Sequence, residues 1–158
     1  MMYPTIYPTM YPTLCGEKGN RMTIKPEEAY VLVIEDNIDN QQIITELLEI
    51  AGVRHITVRG SGWQGLRAAR ETLPRVDLIL LDIQLPAEDG FSVLSDIRDS
   101  PRFRTTRVVA VTANARPRNE ARARAAGFNG FIGKPLDFHR FPEQIQALLN
   151  GEEVWMLR

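Results

Sequence analysis

The sequence lacks the features that mark secreted, membrane and metal-cluster proteins. Cys15 is the only cysteine among the 158 residues, so the chain can form neither an internal disulfide nor a zinc site made of cysteines. No apolar stretch approaches the roughly 20 residues that cross a bilayer, and the N terminus has neither the basic nor the apolar segment of a secretory signal. These absences predict a cytoplasmic protein without a membrane segment.

Net charge and lysine are also scarce. The formal net charge is -1, so bulk electrostatics do not draw the protein to nucleic acid or to an anionic membrane. Most of the positive charge is arginine, and the only lysines are Lys18, Lys25 and Lys134. A chain of 158 residues with 44% hydrophobic residues is long enough for one domain with a core and too short for two ordinary domains.

Residues 1–25 differ in composition from the rest of the chain. The tripeptide Tyr-Pro-Thr occurs three times, beginning at Tyr3, Tyr7 and Tyr11, and prolines at this spacing block helix and sheet alike. We interpret the segment as a disordered tail, or as sequence upstream of a true start at Met22; a short docking peptide is the alternative. The folded domain is predicted over residues 28–150, followed by a short C-terminal tail over residues 151–158.

From Tyr30 onward, short apolar runs alternate with amphipathic helical patterns. The strands are predicted at residues 30–34, 53–58, 76–81, 108–111 and 131–132. This alternation is typical of an α/β fold with a doubly wound, five-stranded parallel sheet and helices on both faces. Asn37 and Ser61 are candidate caps of the first two helices. Pro142 follows the cap candidate Asp137 by about one turn and predicts a late or irregular start of the last helix.

Polar residues follow the ends of four of these strands. Glu35 and Asp36 follow the first strand, Asp82 the third, Thr112 the fourth and Lys134 the fifth. The carboxyl ends of parallel strands lie at one edge of a sheet, where ligands of open α/β folds bind. In the strand order 2-1-3-4-5 the first and third strands are neighbours, so the three carboxylates converge.

Carboxylates in such a cluster repel one another by about 1–4 kcal/mol per pair at about 4 Å. A hard cation offsets this repulsion, and a site made only of oxygen ligands favours Mg²⁺ over zinc. A carboxylate beside such a metal can attack phosphorus, while lysine and a hydroxyl hold the phosphoryl oxygens. These residue types therefore suggest phosphoryl transfer to an aspartate. The alternative is that the acidic residues only cap the helices that follow them.

Four segments carry a resemblance to a known family. They are residues 31–37 (VLVIEDN), residues 78–86 (LILLDIQLP) with Gly90, residues 109–115 (VAVTANA) and residues 133–135 (GKP). The chain resembles receiver domains of two-component response regulators, in particular the stand-alone, chemotaxis-regulator-like receivers. The resemblance covers about residues 30–150 and implies the flavodoxin-like (βα)5 fold with strand order 2-1-3-4-5.

The resemblance also implies which residues bind and accept the phosphoryl group. Asp82 would be the phosphoacceptor and a Mg²⁺ ligand, and Lys134 would pair with a phosphoryl oxygen. Asp36 would bind Mg²⁺ directly, Glu35 through a water molecule, and Gln84 through its backbone carbonyl. The peptide bond before the proline that follows Lys134 is usually cis in this family.

A second implied set of residues transmits the signal. Thr112 would be the switch hydroxyl that moves onto the phosphoryl group, and Phe131 the switch aromatic that turns inward behind it. In this family the side formed by helix four, strand five and helix five carries the output. Arg116, Arg118 and Arg122 lie on helix four and would form a docking surface; a solvated helix face is the alternative.

The function that follows is that of a signalling switch and not of an enzyme, apart from self-catalysed phosphorylation and dephosphorylation of the aspartate. Its partners would be a histidine kinase or a histidine phosphotransfer protein and a downstream protein. A homodimer through helix four, strand five and helix five is a further expectation, whereas DNA is not an expected partner.

Three other functions are weighed against this one. An aspartate-dependent phosphatase carries a second Asp two residues after its nucleophile, where this chain has Gln84. The intact set of Asp82, Thr112 and Lys134 argues against a receiver-like module that only binds proteins. A flavodoxin-like cofactor binder would need a phosphate-cradling loop where this chain has two acidic residues. His55 and His139 have no metal-ligand partner in the sequence pattern, and Trp63 is interpreted as a packing residue.

Overall fold

Strands and helices alternate from Tyr30 to Leu149 within residues 23–156, the part of the chain that the computed structural model describes. The strands are β1 (Tyr30–Ile34), β2 (His55–Arg59), β3 (Leu78–Leu81), β4 (Arg107–Thr112) and β5 (Gly130–Gly133). The helices are α1 (Ile38–Ile50), α2 (Gly62–Glu71), α3 (Gly90–Asp99), α4 (Pro117–Ala126) and α5 (Arg140–Leu149). A short 3-10 helix, Pro26–Glu28, precedes β1.

All five strands run parallel in one sheet, in the order β2-β1-β3-β4-β5. The predicted doubly wound, flavodoxin-like α/β fold and its strand order are therefore confirmed. In the register of β1 and β3, Ile34 lies opposite Leu81. The residues that follow these two strands consequently leave the sheet side by side, at the point where its winding reverses.

Apolar side chains fill a layer on each face of the sheet. Leu32 and Ile34 of β1 point into the layer covered by α2, α3 and α4, while Val31 and Val33 point into the layer covered by α1 and α5. Because both faces are covered, every residue of β3 is buried, which explains its uninterrupted apolar sequence.

The helix starts follow the capping chemistry read from the sequence. The Asn37 side chain accepts a hydrogen bond from the backbone N–H of Asn40 at 2.9 Å, and Ser61 accepts one from Gln64 at 3.2 Å. Both predicted caps are confirmed.

The last helix begins late, as the position of Pro142 in the sequence predicted. The Asp137 carboxylate accepts the backbone N–H groups of Arg140 and His139, each at 2.9 Å, and these two bonds lower the pKa of Asp137. Regular helix begins at Arg140. Pro142 then lies in the first turn, where its missing N–H has no intrahelical acceptor to lose.

Chain on both sides of the predicted domain limits also packs on the sheet and its helices. The backbone N–H of Ile24 donates to the carbonyl of Leu149 at 3.0 Å. Beyond α5, Val154 is 9% exposed and forms a parallel bridge with Gly130. The Tyr-Pro-Thr repeats, Cys15 and the alternative start at Met22 lie outside the described residues.

Gly90 allows α3 to begin against the backbone that carries Asp82. A Cβ atom at Gly90 would lie 2.5 Å from the Cα of Ile83 and 2.9 Å from the carbonyl oxygen of Asp82. These neighbours are backbone atoms, so they cannot move aside without shifting the end of β3.

Substitution of Gly90 should therefore destabilise the protein. We expect Gly90→Ala to lower the free energy of unfolding by about 1–3 kcal/mol, because the added methyl overpacks a rigid contact. Urea denaturation measures this change. Gly60→Ala is the matched control, since its Cβ would meet only the Gln64 side chain, at 3.9 Å, and should change stability by less than about 0.5 kcal/mol. Equal effects of the two substitutions would show that the close approach is not restrictive.

Candidate functional site

Three carboxylates converge where β1 and β3 end. Glu35 and Asp36 directly follow β1, and Asp82 directly follows β3. One carboxylate oxygen from each of the three lies within 4.8 Å of the others. The backbone N–H of Asp82 donates to the carbonyl of Ile34 at 3.0 Å, so the sheet ladder itself fixes this proximity.

Glu35 is held by the start of α1. Its side chain is almost completely buried, and one oxygen accepts the backbone N–H of Asn37 at 3.1 Å. The Gln41 amide donates to the Glu35 carbonyl at 2.6 Å, and the Asn40 amide reaches the same carboxylate oxygen at 3.5 Å. These two amides were not predicted from the sequence. Their position in the first turn of the helix that follows the acidic pair is the pattern that could have identified them.

Lys134 forms ion pairs with two of the carboxylates. Its ammonium group hydrogen-bonds to Glu35 and lies 3.0 Å from Asp82 Oδ2, and its side chain is only 10% exposed. Burial alone would lower the pKa of Lys134, but the hydrogen bonds to Glu35 and Asp82 outweigh it and raise the pKa above the ordinary value. Lys134 is therefore a fixed cation at neutral pH and not a proton acceptor.

Asp82 lies at the centre of the cluster. While Oδ2 faces Lys134, Oδ1 accepts the backbone N–H of Gln84 at 2.8 Å. Helix α3 is capped by Asp89 instead, whose carboxylate accepts the N–H of Phe91 at 3.0 Å. Asp82 is thus not a helix cap, which removes the alternative explanation for this residue.

Asp36 and Gln84 complete the set to which the family resemblance assigned a metal. The Asp36 side chain is exposed at the mouth of the cluster, unlike its two acidic neighbours. Gln84 pairs with Asp89 in an antiparallel bridge, which holds its backbone beside Asp82. All the groups at this edge that can bind a cation are oxygen donors, the chemistry that Mg²⁺ prefers.

Thr112 is linked to the lysine through the backbone. It is completely buried at the end of β4, its hydroxyl accepts the N–H of Asn114 at 3.2 Å, and its carbonyl accepts the N–H of Lys134 at 2.9 Å. The peptide bond between Lys134 and Pro135 is cis, as the resemblance implied.

Phe131 does not have the conformation from which an inward turn could begin. Its ring is already 1% exposed and packs in the layer beneath α4. A further inward turn of the ring would therefore contribute almost no hydrophobic stabilisation, because almost no ring surface is left to bury.

The three arginines of the predicted docking surface differ in their surroundings: Arg116 directly precedes α4, and Arg118 and Arg122 lie on it. All are exposed, but Arg122 lies 3.8 Å above the ring of Phe91 and 3.6 Å from the Asp89 carboxylate. Arg116 and Arg118 are the more available members of the predicted docking surface.

The remaining side chains singled out in the sequence lie apart from the carboxylates. His55 stacks on Tyr30 at 4.3 Å between ring centroids, on the edge strand β2. Trp63 is 64% exposed on α2, with the Arg67 guanidinium 5.4 Å from its ring, so it is less buried than a packing role would require. Its prediction as a packing residue is wrong.

Comparison with known proteins agrees with this geometry. A family model described as the response regulator receiver domain matches residues 31–146. The polar-differentiation response regulator DivK of Brucella ovis is 40% identical over 120 residues, which make up 76% of this chain and 95% of that protein. The chain therefore belongs to the response regulator receiver family.

Solved structures give the same result. The receiver domain of the sensor histidine kinase PA1611 from Pseudomonas aeruginosa PAO1, solved with a magnesium ion in its active-site cleft, is 32% identical, with a TM-score of 0.67 over 78% of this chain and 98% of that one. The chemotaxis response regulator CheY4 of Vibrio cholerae shares the fold, with a TM-score of 0.68 at 24% identity over 76% of this chain and 98% of that one.

Membership in this family defines the class of activity. The protein is a response-regulator receiver of the DivK-like type, a phospho-accepting signalling switch and not an enzyme. A histidine kinase is the class of partner that such a receiver requires.

Removing the Lys134 ammonium should destabilise the protein in the absence of metal. Without it, two nearly buried carboxylates lose their counter-charge, so Lys134→Ala should lower the free energy of unfolding by about 3 kcal/mol. Because the pKa of Lys134 is raised, this contribution is complete below its ordinary value of 10.5 and is lost as pH rises through the higher folded value.

Urea denaturation in EDTA from pH 7 to 11 tests both statements. The difference between wild type and Lys134→Ala should stay constant to about pH 10 and then shrink. Lys25→Ala, at an exposed lysine, is the control and should change little. A loss below about 0.5 kcal/mol for Lys134→Ala would contradict the charge balance described above.

Proposed function

We propose that Asp82 is the residue that accepts the phosphoryl group. The observation that carries this proposal is the convergence on one carboxylate of the Lys134 ammonium, the Gln84 N–H and the acidic pair. An Asp82 oxygen attacks phosphorus as the bond from phosphorus to the donor atom breaks; the donor atom is a histidine nitrogen of a kinase or phosphotransfer protein. Lys134 then balances charge on the phosphoryl oxygens.

The same edge has the composition of a magnesium site. Three carboxylates face one ammonium group, so the cluster keeps an excess of negative charge. Asp36, Asp82 and the Gln84 carbonyl would hold Mg²⁺ directly, and Glu35 would act through a water molecule. The ion would neutralise charge on the carboxylates and on the incoming phosphoryl group.

Thr112 is the proposed switch hydroxyl. It is buried two residues beyond the last residue of β4 that pairs with β3, and its carbonyl accepts the N–H of Lys134. When the hydroxyl turns toward a phosphoryl group, the loop from Asn114 into α4 loses the 3.2 Å contact that this hydroxyl accepts. Phe131 is already buried, so its part in the switch is to stay packed while the loop moves past it.

The output is a change in protein–protein contacts. Arg116 and Arg118 lie exposed at the start of α4 and suit an acidic partner. A homodimer through α4, β5 and α5 would use the same side, and DNA is not proposed as a partner because the net charge is -1. No helix among residues 23–156 is long and apolar enough to cross a membrane, and a stand-alone receiver in the cytoplasm is the proposed context.

Magnesium binding should depend on Asp36. A carboxylate within about 4 Å of the ion contributes about 1–4 kcal/mol, so Asp36→Ala should weaken Mg²⁺ binding at least about tenfold. A titration followed by NMR shifts of the Asp82 and Gln84 amides measures this affinity. Asp39→Ala, an exposed residue on α1, is the control and should leave the affinity nearly unchanged. No response at millimolar Mg²⁺ would remove the metal site.

Phosphorylation should depend on Asp82. With Mg²⁺ and acetyl phosphate, intact-mass measurement should show one added phosphoryl group that is stable in acid and labile in base. Asp82→Asn should abolish it, because an amide is a poor nucleophile, whereas the exposed Asp96→Asn should not. Label that persists in Asp82→Asn would assign the phosphoacceptor to another residue.

A further inference from the structure

The chain after α5 covers the outer edge of β5. We call residues 152–156 the strap. Val154 forms a parallel bridge with Gly130, and its carbonyl accepts the backbone N–H of Phe131 at 2.8 Å. The approach is close, since a Cβ at Gly130 would lie 2.7 Å from the Val154 oxygen. The strap thus occupies the position of a sixth strand beside β5.

Side chains anchor the strap at its beginning and in its middle. Arg107 of β4 donates to the carbonyls of Gly151 at 2.6 Å and Glu152 at 2.9 Å. Trp155 is half-buried against the apolar layer that contains Phe131, and the Arg124 guanidinium of α4 lies 4.0 Å from its ring. An extended backbone, one aromatic anchor and one arginine above it therefore fix the segment.

The end of the strap reaches the end of β5, one residue before Lys134. A Cβ at Gly133 would lie 2.7 Å from Met156 Sδ and equally close to the Cβ of Ala115. Gly133 precedes Lys134, and Ala115 lies in the loop that follows Thr112. The strap therefore contacts the last residue of β5, directly before Lys134.

We propose that the edge of β5 and the adjoining side of α4 form a docking site for an extended peptide, and that the strap occupies it as a built-in competitor. The partner it fits presents acidic residues followed by a small apolar residue and an aromatic one, the chemistry of Glu152–Met156. Such a peptide adds a strand to β5 and places its aromatic ring under Arg124. A partner that uses this face for output must first displace the strap, and only this last consequence rests on the proposed function.

The side chains of the strap indicate that it fills a recognition site and does not only protect the edge of β5. Many edge strands are covered to prevent aggregation, and a short charged or proline-containing segment is enough for that purpose. Here the cover contributes a tryptophan that is half-buried between α4 and β5 and stacked by an arginine. An anchor of this kind is what a binding groove selects in a ligand.

Binding of the strap sequence in trans tests the proposal. The chain is ended after Gly151 in a Trp63→Phe background, so that the only tryptophan is in a synthetic peptide spanning residues 150–156. The comparison is the full-length chain with both Trp63→Phe and Trp155→Phe. These substitutions remove its tryptophan fluorescence, so that only the peptide fluoresces. Peptide fluorescence should report saturable binding to the shortened chain. If the strap is open less than a tenth of the time, binding to the full-length chain is at least about tenfold weaker.

Controls separate a docking site from simple edge cover. A peptide with alanine in place of its tryptophan should not compete with the tryptophan peptide for binding, and circular dichroism with urea denaturation of the shortened chain shows that its domain is folded. Equal binding to both chains, or no binding to a folded shortened chain, would overturn the proposal. A full-length chain of doubled mass that exchanges straps between copies would also overturn it. None of these measurements uses metal or phosphate to detect binding, so they can fail independently of the proposed function.

A second measurement in the full-length chain covers the case in which the shortened chain does not fold. Trp155→Ala should speed hydrogen exchange of the Phe131 amide at least about tenfold, because the amide bonds to the strap. Trp63→Phe, at the exposed tryptophan on α2, should leave that amide unchanged. Unchanged exchange in Trp155→Ala would show that Trp155 does not anchor the strap and would overturn the proposal.

Discussion

The attraction between the Lys134 ammonium and the carboxylates of Glu35 and Asp82 is the interaction on which the site depends. The lysine comes from the end of β5, and the two carboxylates follow β1 and β3. An unpaired carboxylate at either position would be strongly unfavourable, because Glu35 is 1% exposed and Asp82 7% exposed. The lysine thus joins the end of β5 to the centre of the sheet, across β4.

This arrangement leaves the site with an excess of negative charge. One ammonium group cannot balance three carboxylates, and the exposed carboxylate of Asp36 faces solvent where a cation can approach. The proposed metal and phosphoryl group would both enter from that side. When they do, Lys134 would shift its hydrogen bonds, and the backbone bond from Lys134 to Thr112 would pass the displacement to β4 and β5.

Sequence patterns predicted the sheet and the site edge because both depend on short, contiguous signals. The apolar runs of β1 and β3 and the polar residues directly after them identify a parallel sheet and its carboxyl edge. The starts of two strands were wrong: β2 begins at His55 and not at Val53, and β3 begins at Leu78 and not at Val76, because both valines pack in the core ahead of the paired residues. A strand is bounded by the backbone hydrogen bonds that it makes to the neighbouring strand. The apolar character of its side chains does not reveal where those bonds begin.

Other features depend on contacts between distant parts of the chain and have no local signal. Val154 and Trp155 stand in a polar C-terminal stretch without periodicity, so the sequence predicted a tail where the structure has a strand-like cover. The burial of Phe131 likewise depends on how α4 packs over β5. The side chain of Trp63, by contrast, remains exposed on α2, although large aromatic residues on helices usually pack inward.

The bond from Ile24 to Leu149 determines where the N-terminal segment leaves the domain. Helix α5 runs opposite to the strands, so its last residue lies at the amino edge of the sheet, and the bond holds Ile24 there. Anything attached ahead of Thr23 therefore starts from the edge opposite to the carboxylates. A solid support attached at Thr23 itself would leave the acidic edge facing the solution, whereas attachment at Met156 would pull on the segment that lies along β5.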